Sequence, residues 1–151
     1  MSGTRYTVEI KDMGGFSARE LYALLKLRVD VFVVEQNCPY AELDGKDGDA
    51  LHLMLKCADG IIAAARIFPP HGDMPAKIGR VVVSPDHRGE RLGQALMGEA
   101  LQLCESRYPG TPVFLSAQSH LQKFYGSLGF KPVSDEYLED GIPHVDMLKA
   151  A

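Results

Sequence analysis

Residues 81–94 read Val81-Val82-Val83-Ser84-Pro85-Asp86-His87-Arg88-Gly89-Glu90-Arg91-Leu92-Gly93-Gln94. The three β-branched residues favour a strand, and apolar residues at helical spacing favour a helix after the loop. Gly89 and Gly93 fall in the expected first turn of that helix. Unpaired amides and the helix dipole attract an anion to such a turn, and glycine lets the backbone approach it. The stretch therefore predicts an anion site, where Arg88 and Arg91 add cationic donors.

Two better-known phosphate loops do not fit these residues. A Walker-type loop needs Gly-Lys-Ser/Thr, and a dinucleotide fingerprint needs three glycines directly after the first strand of a βαβ unit. This loop lies instead in mid-chain, after a run of hairpin strands. A solvated basic turn with packing glycines stays open as an alternative, because short glycine motifs are weak evidence on their own.

Strand and helix patterns extend on both sides of this stretch. Strands are predicted over residues 5–11, 51–57, 61–68, 77–83, 112–117, 130–133 and 144–148, the last two around a turn at residues 139–141. Helices are predicted over residues 18–35, from the turn that carries Gly89 and Gly93 onward, and around residues 121–128, with Gly129 as the C′ residue. Ser17 is the expected N-cap of the first helix, with Glu20 as its capping-box partner. Residues 37–49 form a long loop of the kind that lines binding sites.

The bulk composition narrows the function classes. The 151 residues fit a single domain spanning 1–151, and the net charge of -4 argues against nucleic-acid binding. The apolar stretches are far shorter than a membrane span, and no secretory signal is expected, so we predict a cytoplasmic protein that needs no membrane. The three cysteines suggest neither a disulfide framework nor a zinc site, and Cys38, His52 and His144 fit no standard metal spacing. No metal is therefore expected.

Two motifs together resemble one family. Residues 88–93 resemble the Arg/Gln-x-x-Gly-x-Gly/Ala signature of the GCN5-related N-acetyltransferases (GNAT), except that Arg91 stands where glycine is usual. Residues 124–130 resemble the second landmark of that family, a helix ending Tyr-x-x-x-Gly-Phe. A closer resemblance, over nearly the whole chain, is to the ElaA-like subfamily, which shares the substituted glycine. It rests on residues 27–36, 38–40, 88–93 and 139–144, and on Asp44, Asp47 and His52.

The resemblance implies a fold and a co-substrate. The fold is α/β: a mixed, mostly antiparallel sheet of six or seven strands, with helices on both faces and middle strands that splay. The co-substrate is acetyl-coenzyme A, with its pantetheine arm along the valine strand, where an N–H of Val82 or Val83 would polarise the thioester carbonyl. The implied cofactor-binding residues are Val81, Val82, Val83, Arg88, Gly89, Glu90, Arg91, Leu92, Gly93, Gln94 and Lys123.

The implied catalytic groups are a proton donor and a base. Tyr125 is the expected donor to the leaving thiolate, although a core role is the alternative for a tyrosine beside Phe124. The base stays open between Glu35, His52 and His144. For Glu35 the alternative is a partly buried ion pair with Arg28, and a lone strand histidine such as His52 is often structural.

The acceptor side is the least defined part of the sequence. The candidate substrate-binding residues are Arg28, Phe32, Gln36, Tyr40 and Asp44, with a buried salt bridge as the alternative for Arg28. The acidic residues of the loop 37–49 either recognise a cationic acceptor or are simply solvated. We expect a small-molecule or peptide amine as acceptor, leave a homodimer open, and keep a non-catalytic acyl-coenzyme-A-binding regulatory module as the alternative function.

Overall fold

The computed structural model describes residues 5–151, so the first four residues of the predicted domain lie outside it. The elements are β1 (Thr7–Lys11), α1 (Ala18–Val29), β2 (Leu51–Cys57), β3 (Gly60–Phe68), β4 (Ala76–Val83), α2 (Leu92–Arg107), β5 (Val113–Gln118), α3 (Gln122–Gly126), β6 (Lys131–Pro132), β7 (Tyr137–Glu139) and β8 (Ile142–Lys149). They form one sheet in the order β1-β2-β3-β4-β5-β8-β6, with β7 also paired to β8. Among the strand pairs of residues 5–151, only β4–β5 is parallel. The predicted mixed, mostly antiparallel sheet is confirmed, with eight strands in this part of the chain rather than six or seven.

Both faces of the sheet are covered by helices, as predicted. Successive side chains of a strand point to opposite faces, so β2 divides its buried residues between two cores. Leu53 and Leu55 join the larger core, which includes the apolar face of α2. Met54 joins the smaller core with Leu24 and Leu27 of α1. The sheet is therefore the middle of three layers.

The first helix changes type before its predicted end. Its α-helical part ends at Val29 and continues as a π-helical segment, Asp30–Glu35. The wider turn is visible in the bond from the Cys38 N–H to the Val33 carbonyl, 2.9 Å, five residues apart. The Ser17 hydroxyl caps the helix as predicted, accepting from the Glu20 N–H at 3.2 Å. The Glu20 carboxylate does not complete a capping box but binds Lys11 and Lys56.

A gap opens in the sheet between β4 and β5. These strands pair only at Ala76 with Val113 and Lys77 with Phe114, although β4 continues to Val83. A bulge opposite β3 bends β4 at Arg80, whose φ of 49° lies in the left-handed region. The predicted splaying of the middle strands is therefore present, and it leaves one edge of β4 without a strand partner.

Two local predictions were wrong. The strand predicted over residues 130–133 pairs with β8 only at Lys131 and Pro132, with one further bond from the Val133 N–H to the Asp146 carbonyl at 2.8 Å, and the hairpin around residues 139–141 is formed by β7 and β8 instead. Helix α2 begins at Leu92, so Gly89 precedes its first turn. Gly129 does follow α3 in the left-handed region, with φ 98°, as expected of a C′ glycine. Among residues 5–151, none of the helices has the length and apolar character needed to cross a bilayer.

Candidate active site

A central cavity of about 370 Å³ lies where β4 and β5 diverge. Its walls come from the π-helical segment, the loop after it, β4, β5, α3 and the β7–β8 hairpin. The predicted residues that line it are Phe32, Gln36, Tyr40, Asp44, Val81, Tyr125 and His144. The fold thus brings the donor candidate, one base candidate and four of the five substrate candidates to one place.

A second cavity, the loop cavity, has a volume of about 390 Å³ and lies at the start of α2. Of the predicted cofactor residues 88–94, all except Glu90 line it, together with Val83, His87 and Phe124. The Glu90 carboxylate lies instead 3.4 Å from His87 Nδ1. Lys123 is exposed and lines neither cavity. Because Val81 lines the central cavity and Val83 the loop cavity, the open edge of β4 connects the two.

The backbone around the loop cavity has the conformation that glycine favours at two positions. Gly89 has φ 83°, and Arg91, the residue in place of the usual glycine, has φ 60°. An arginine in the left-handed region costs roughly 1–2 kcal/mol, so the substituted position keeps the glycine-like path at some strain. Gly93 is different, because an added Cβ would meet only Phe124 at 3.9 Å and Val83 at 4.0 Å. The protein itself therefore does not require glycine at 93.

The open edge of β4 carries backbone groups that no strand satisfies. The Ser84 N–H donates to the Ile62 carbonyl of β3 at 2.8 Å. Ladder bonds alternate along a regular strand, so the N–H of Val82, which pairs with Ala64, also faces β3, while that of Val83 faces the gap. Val81 lies between Val82 and the bulge at Arg80, and from the same alternation we infer that its N–H faces the gap too. Buried or half-buried backbone groups need partners. This edge can therefore accept an extended molecule that supplies the missing hydrogen bonds.

Tyr125 lies between the central cavity and the larger core, and its neighbour Phe124 lines the loop cavity. Its ring packs edge-on against Phe124 and Phe130, and it is 6% exposed. Burial raises the pKa of Tyr125 to about 12. Its hydroxyl has no hydrogen-bond partner within the described part of the chain, and the residue lines the central cavity. A protonated, unpaired hydroxyl facing a cavity is suited to donating a hydrogen bond to a ligand.

The two histidine candidates lie in different environments. His52 is 2% exposed, packs edge-on against Phe16, and donates from Nε2 to the Asp47 carbonyl at 3.0 Å. It does not line the central cavity. His144 does line it, and its Nδ1 lies 2.7 Å from the Ile142 carbonyl. Because Nδ1–H must donate in that contact, the neutral ring has its lone pair at Nε2.

Glu35, the third base candidate, lies outside the central cavity. Its carboxylate binds Arg88 through two bonds of 2.7 and 2.5 Å. These bonds lower the pKa of Glu35 below its usual value. The ion pair with Arg28, considered as the alternative for Glu35, is therefore wrong. Through Arg88, Glu35 connects the π-helical segment to the loop before α2 instead.

Arg28 occupies a buried ion-pair network rather than the cavity wall. It is 1% exposed and donates to Glu42 Oε2 at 2.8 Å and to Asp47 Oδ1 at 2.8 Å. The buried salt bridge considered as its alternative is therefore present, with Glu42 and Asp47 as partners. A substrate cannot reach this guanidinium in the described structure.

Two further arginines neutralise the acidic loop. Arg66 donates to Asp44 at 2.6 Å and to Asp47 at 3.1 Å, and Arg80 donates to Glu42 at 2.7 Å. Hydrogen bonds from Arg66 lower the pKa of Asp44 strongly. Burial alone would raise the pKa of Asp47, but its bonds to Arg28 and Arg66 outweigh this and lower it. Three carboxylates matched by three guanidinium groups form a structural cluster, which weakens the idea of a cation-recognising loop.

Several cavity residues escaped the sequence analysis. Glu139 and Asp140 were seen only as a turn, yet both line the central cavity, and Glu139 Oε2 lies 3.5 Å from His144 Nε2. Cys38 also lines it, and its thiol donates to the Asp140 carbonyl at 3.2 Å. The pair of acidic residues in a tight hairpin turn was the only sign in the sequence that Glu139 and Asp140 could line a site. The local sequence does not indicate which side of the fold such a turn faces.

Known proteins resemble the chain over most of its length. Residues 22–151 match the family model described as an acetyltransferase (GNAT) domain. Protein ElaA of Escherichia coli (strain K12) is 52% identical over 136 residues, 88% of this chain and 89% of that protein. The crystal structure of Escherichia coli ElaA aligns with a TM-score of 0.90 and 46% identity over 96% of this chain and 99% of that one. An acyl-CoA N-acyltransferase from Pseudomonas aeruginosa gives a TM-score of 0.90 and 46% identity over 97% and 100%.

Proposed function

The chain belongs to the GNAT acetyltransferase family, within its ElaA-like subfamily, and on this premise we propose that it transfers an acetyl group from acetyl-coenzyme A to an amine. Acyl transfer is the activity of the family, and the name of the Pseudomonas aeruginosa relative supports an acyl-coenzyme-A donor. The choice of acetyl, the amine acceptor and direct attack within a ternary complex are our proposals. We further propose that residues 1–151 act as one domain, since the eight strands within residues 5–151 share one sheet.

The open β4 edge between two cavities is the observation that carries this proposal. A pantetheine arm has amide groups that can pair with the free backbone groups of Val81 and Val83 like an added strand. The loop cavity receives the pyrophosphate, because the amides at the start of α2 and the Arg91 side chain favour an anion there. The thioester then reaches the central cavity beside Val81 and Tyr125.

Val81 is our choice for the group that polarises the thioester carbonyl. Its N–H faces the gap and it lines the central cavity, whereas the N–H of Val82 faces β3. A fixed backbone N–H near the developing oxyanion stabilises it without reorganisation, an effect worth about 3–4 kcal/mol in other enzymes. Val83 instead holds the arm nearer the loop cavity.

The reaction needs a base for the amine proton and a hydrogen-bond donor for the leaving thiolate, which we assign to His144 and Tyr125. The amine nitrogen attacks the carbonyl carbon, and the His144 Nε2 lone pair takes the nitrogen's proton, directly or through water. The nearby Glu139 carboxylate stabilises the resulting imidazolium. The tetrahedral intermediate collapses, the C–S bond breaks, and Tyr125 donates a hydrogen bond to the leaving thiolate.

The acceptor enters from the side of the π-helical segment in this proposal. Phe32, Gln36 and Tyr40 provide one wall, and Glu139 with Asp140 provides carboxylates that are not part of the arginine network. Asp44 orders this wall through Arg66 rather than binding the amine directly. A small-molecule or peptide amine fits such a cavity. A homodimer and a cytoplasmic location stay predictions.

Turnover with a panel of amines tests the proposal. The purified protein is incubated with acetyl-coenzyme A and single polyamines, amino acids or peptide N-termini, and the free thiol is measured after quenching. We expect amine-dependent thiol release together with N-acetylated product for at least one class. Tight coenzyme binding without turnover on any amine would favour the non-catalytic regulatory module instead.

A further inference from the structure

A cluster of three metal-ligating side chains lies beside the loop cavity. Cys57 ends β2, Asp59 belongs to the β2–β3 turn, and His87 lies in the loop after β4. One ligand atom from each residue lies within 4.8 Å of the other two. The proposed acyl-transfer chemistry uses none of these three side chains.

The donor set suits a borderline-soft divalent cation. A thiolate, an imidazole and a carboxylate are all ligands of Zn²⁺, and catalytic or open sites use three protein ligands with one free position. Tetrahedral bonds of about 2.0–2.3 Å place ligand atoms roughly 3.5 Å apart. His87 Nε2 already lies 3.1 Å from Asp59 Oδ2. The Asp59 side chain is 72% exposed, so it can rotate the remaining distance without disturbing the core.

The surroundings of the cluster resemble the outer shell of a metal site. Metal-bound histidines usually donate their other ring N–H to a carboxylate. Here the His87 Nδ1 faces Glu90 Oε1 at 3.4 Å while Nε2 faces the cluster. The Asp59 N–H donates to Cys57 Sγ at 3.4 Å, a contact that keeps the sulfur beside the turn that carries Asp59. The His87 side chain is only 13% exposed, so its position is largely fixed before any ion arrives.

We propose that Cys57, Asp59 and His87 form a Zn²⁺ site with Glu90 orienting the histidine. The fourth position is open to water or to an anionic oxygen. A bound ion ties the β2–β3 turn to the segment that leads into the loop cavity. No metal was expected from the sequence, where the three cysteines and the spacing of Cys38, His52 and His144 matched no standard site. Asp59 and His87 are 28 residues apart, and only the fold brings them together.

Cobalt substitution tests the site without reference to acyl transfer. The metal-free full-length chain is titrated with Co²⁺ and, in competition, with Zn²⁺, while thiolate-to-cobalt charge-transfer absorption is recorded. We expect one equivalent to bind with this absorption, and Zn²⁺ to displace it. Absence of the absorption, or no binding at millimolar ion, overturns the proposal.

Variants assign the ligands. Cys57→Ser abolishes the charge-transfer absorption, and Asp59→Asn and His87→Asn weaken Zn²⁺ binding at least tenfold. Glu90→Gln weakens it about 10–100-fold, as expected for an outer-shell partner. Cys38→Ser is the matched control and leaves the titration unchanged. Binding that survives Cys57→Ser and Asp59→Asn marks an adventitious ion and overturns the assignment. Because the Asp59 side chain is exposed, Asp59→Asn should fold even if one of the other variants does not. Thermal melting of each metal-free variant shows which of them are folded.

Discussion

Replacing Tyr125 by phenylalanine separates catalysis from binding and from folding. The change removes one hydroxyl that has no partner within residues 5–151, so no buried group is left unpaired. We expect the free energy of unfolding to change by less than about 1 kcal/mol. The affinity for acetyl-coenzyme A should also change little, because a neutral thioester sulfur is a weak acceptor.

The size of the rate effect follows from the pKa of the donor. Burial raises the pKa of Tyr125 to about 12, whereas a thiol such as that of coenzyme A has a pKa of about 8.5. Complete proton transfer to the thiolate is uphill by roughly 3–4 pKa units, or about 5 kcal/mol. Hydrogen bonding to the developing charge is therefore the main contribution, worth about 1.5–3 kcal/mol. This corresponds to a fall in kcat of roughly 10–150-fold.

The assay measures kcat by thiol release and the Kd of acetyl-coenzyme A by calorimetry. Tyr22→Phe, at a tyrosine that is 74% exposed on α1, is the matched control and should behave like the unmodified chain. The raised pKa also means that Tyr125 stays protonated up to about pH 10, so it should cause no alkaline loss of kcat below that pH. A Tyr125→Phe variant whose kcat stays within twofold would refute the role of this hydroxyl.

Four further predictions concern the coenzyme loop and the arginine network. Gly93→Ala should stabilise the fold by about 0.5–1 kcal/mol, because alanine favours helix and its Cβ meets only ordinary contacts. The same Cβ should weaken coenzyme binding, because it intrudes on the loop cavity. Chemical denaturation measures the gain in stability and calorimetry the loss of affinity, and an unchanged affinity would contradict the site. Glu35→Gln breaks the exposed ion pair with Arg88 and frees its guanidinium for the coenzyme. It should strengthen coenzyme binding by roughly 1.5–5-fold, which is what an exposed ion pair contributes, and leave kcat within about twofold. A kcat loss above 100-fold would instead identify Glu35 as the base. Arg28→Met should lower the free energy of unfolding in urea by about 3 kcal/mol, the lower end for a broken buried pair, because Arg80 and Arg66 still bind Glu42 and Asp47. The control Lys26→Met, at an exposed pair, should leave the urea midpoint nearly unchanged, and equal losses for the two variants would contradict the buried network. The pKa values of Asp44 and Asp47 are lower in the folded than in the unfolded state. Their ionised carboxylates therefore stabilise the fold fully above the unfolded pKa of about 3.9, and this stabilisation is lost as the pH falls further. Denaturation midpoints that stay level between pH 6 and pH 3 would contradict this.

The parts of the site that local chemistry determines could be predicted from the sequence. The prediction of an anion site rests on a strand, a glycine-bearing loop and a helix start within 14 residues, and a cavity lies at that position. Tyr125 and Gly129 lie within one short helix and its cap, so their relation is also local. Only the exact helix start differs, because Arg91 adopts the left-handed conformation that the sequence pattern assigns to glycine.

The parts that depend on tertiary pairing could not be predicted. Arg28 meets Glu42 and Asp47 across 14 and 19 residues, and many acidic residues lay within reach of it in the sequence. His52 and His144 both lie on strands, and alternation tells which residues share a face but not which face borders the cavity. The bulge at Arg80 has no sequence signal either, since a non-glycine residue takes the positive φ.

Residue-resolved amide hydrogen exchange on β4 tests most directly whether this strand edge holds the coenzyme. Spectra of the full chain are compared with and without saturating coenzyme A. We predict that the amides of Val81 and Val83 become protected on addition, while the amide of Val82 is already protected by β3 and does not change. Exchange at Val81 and Val83 that is the same in both states would contradict the account.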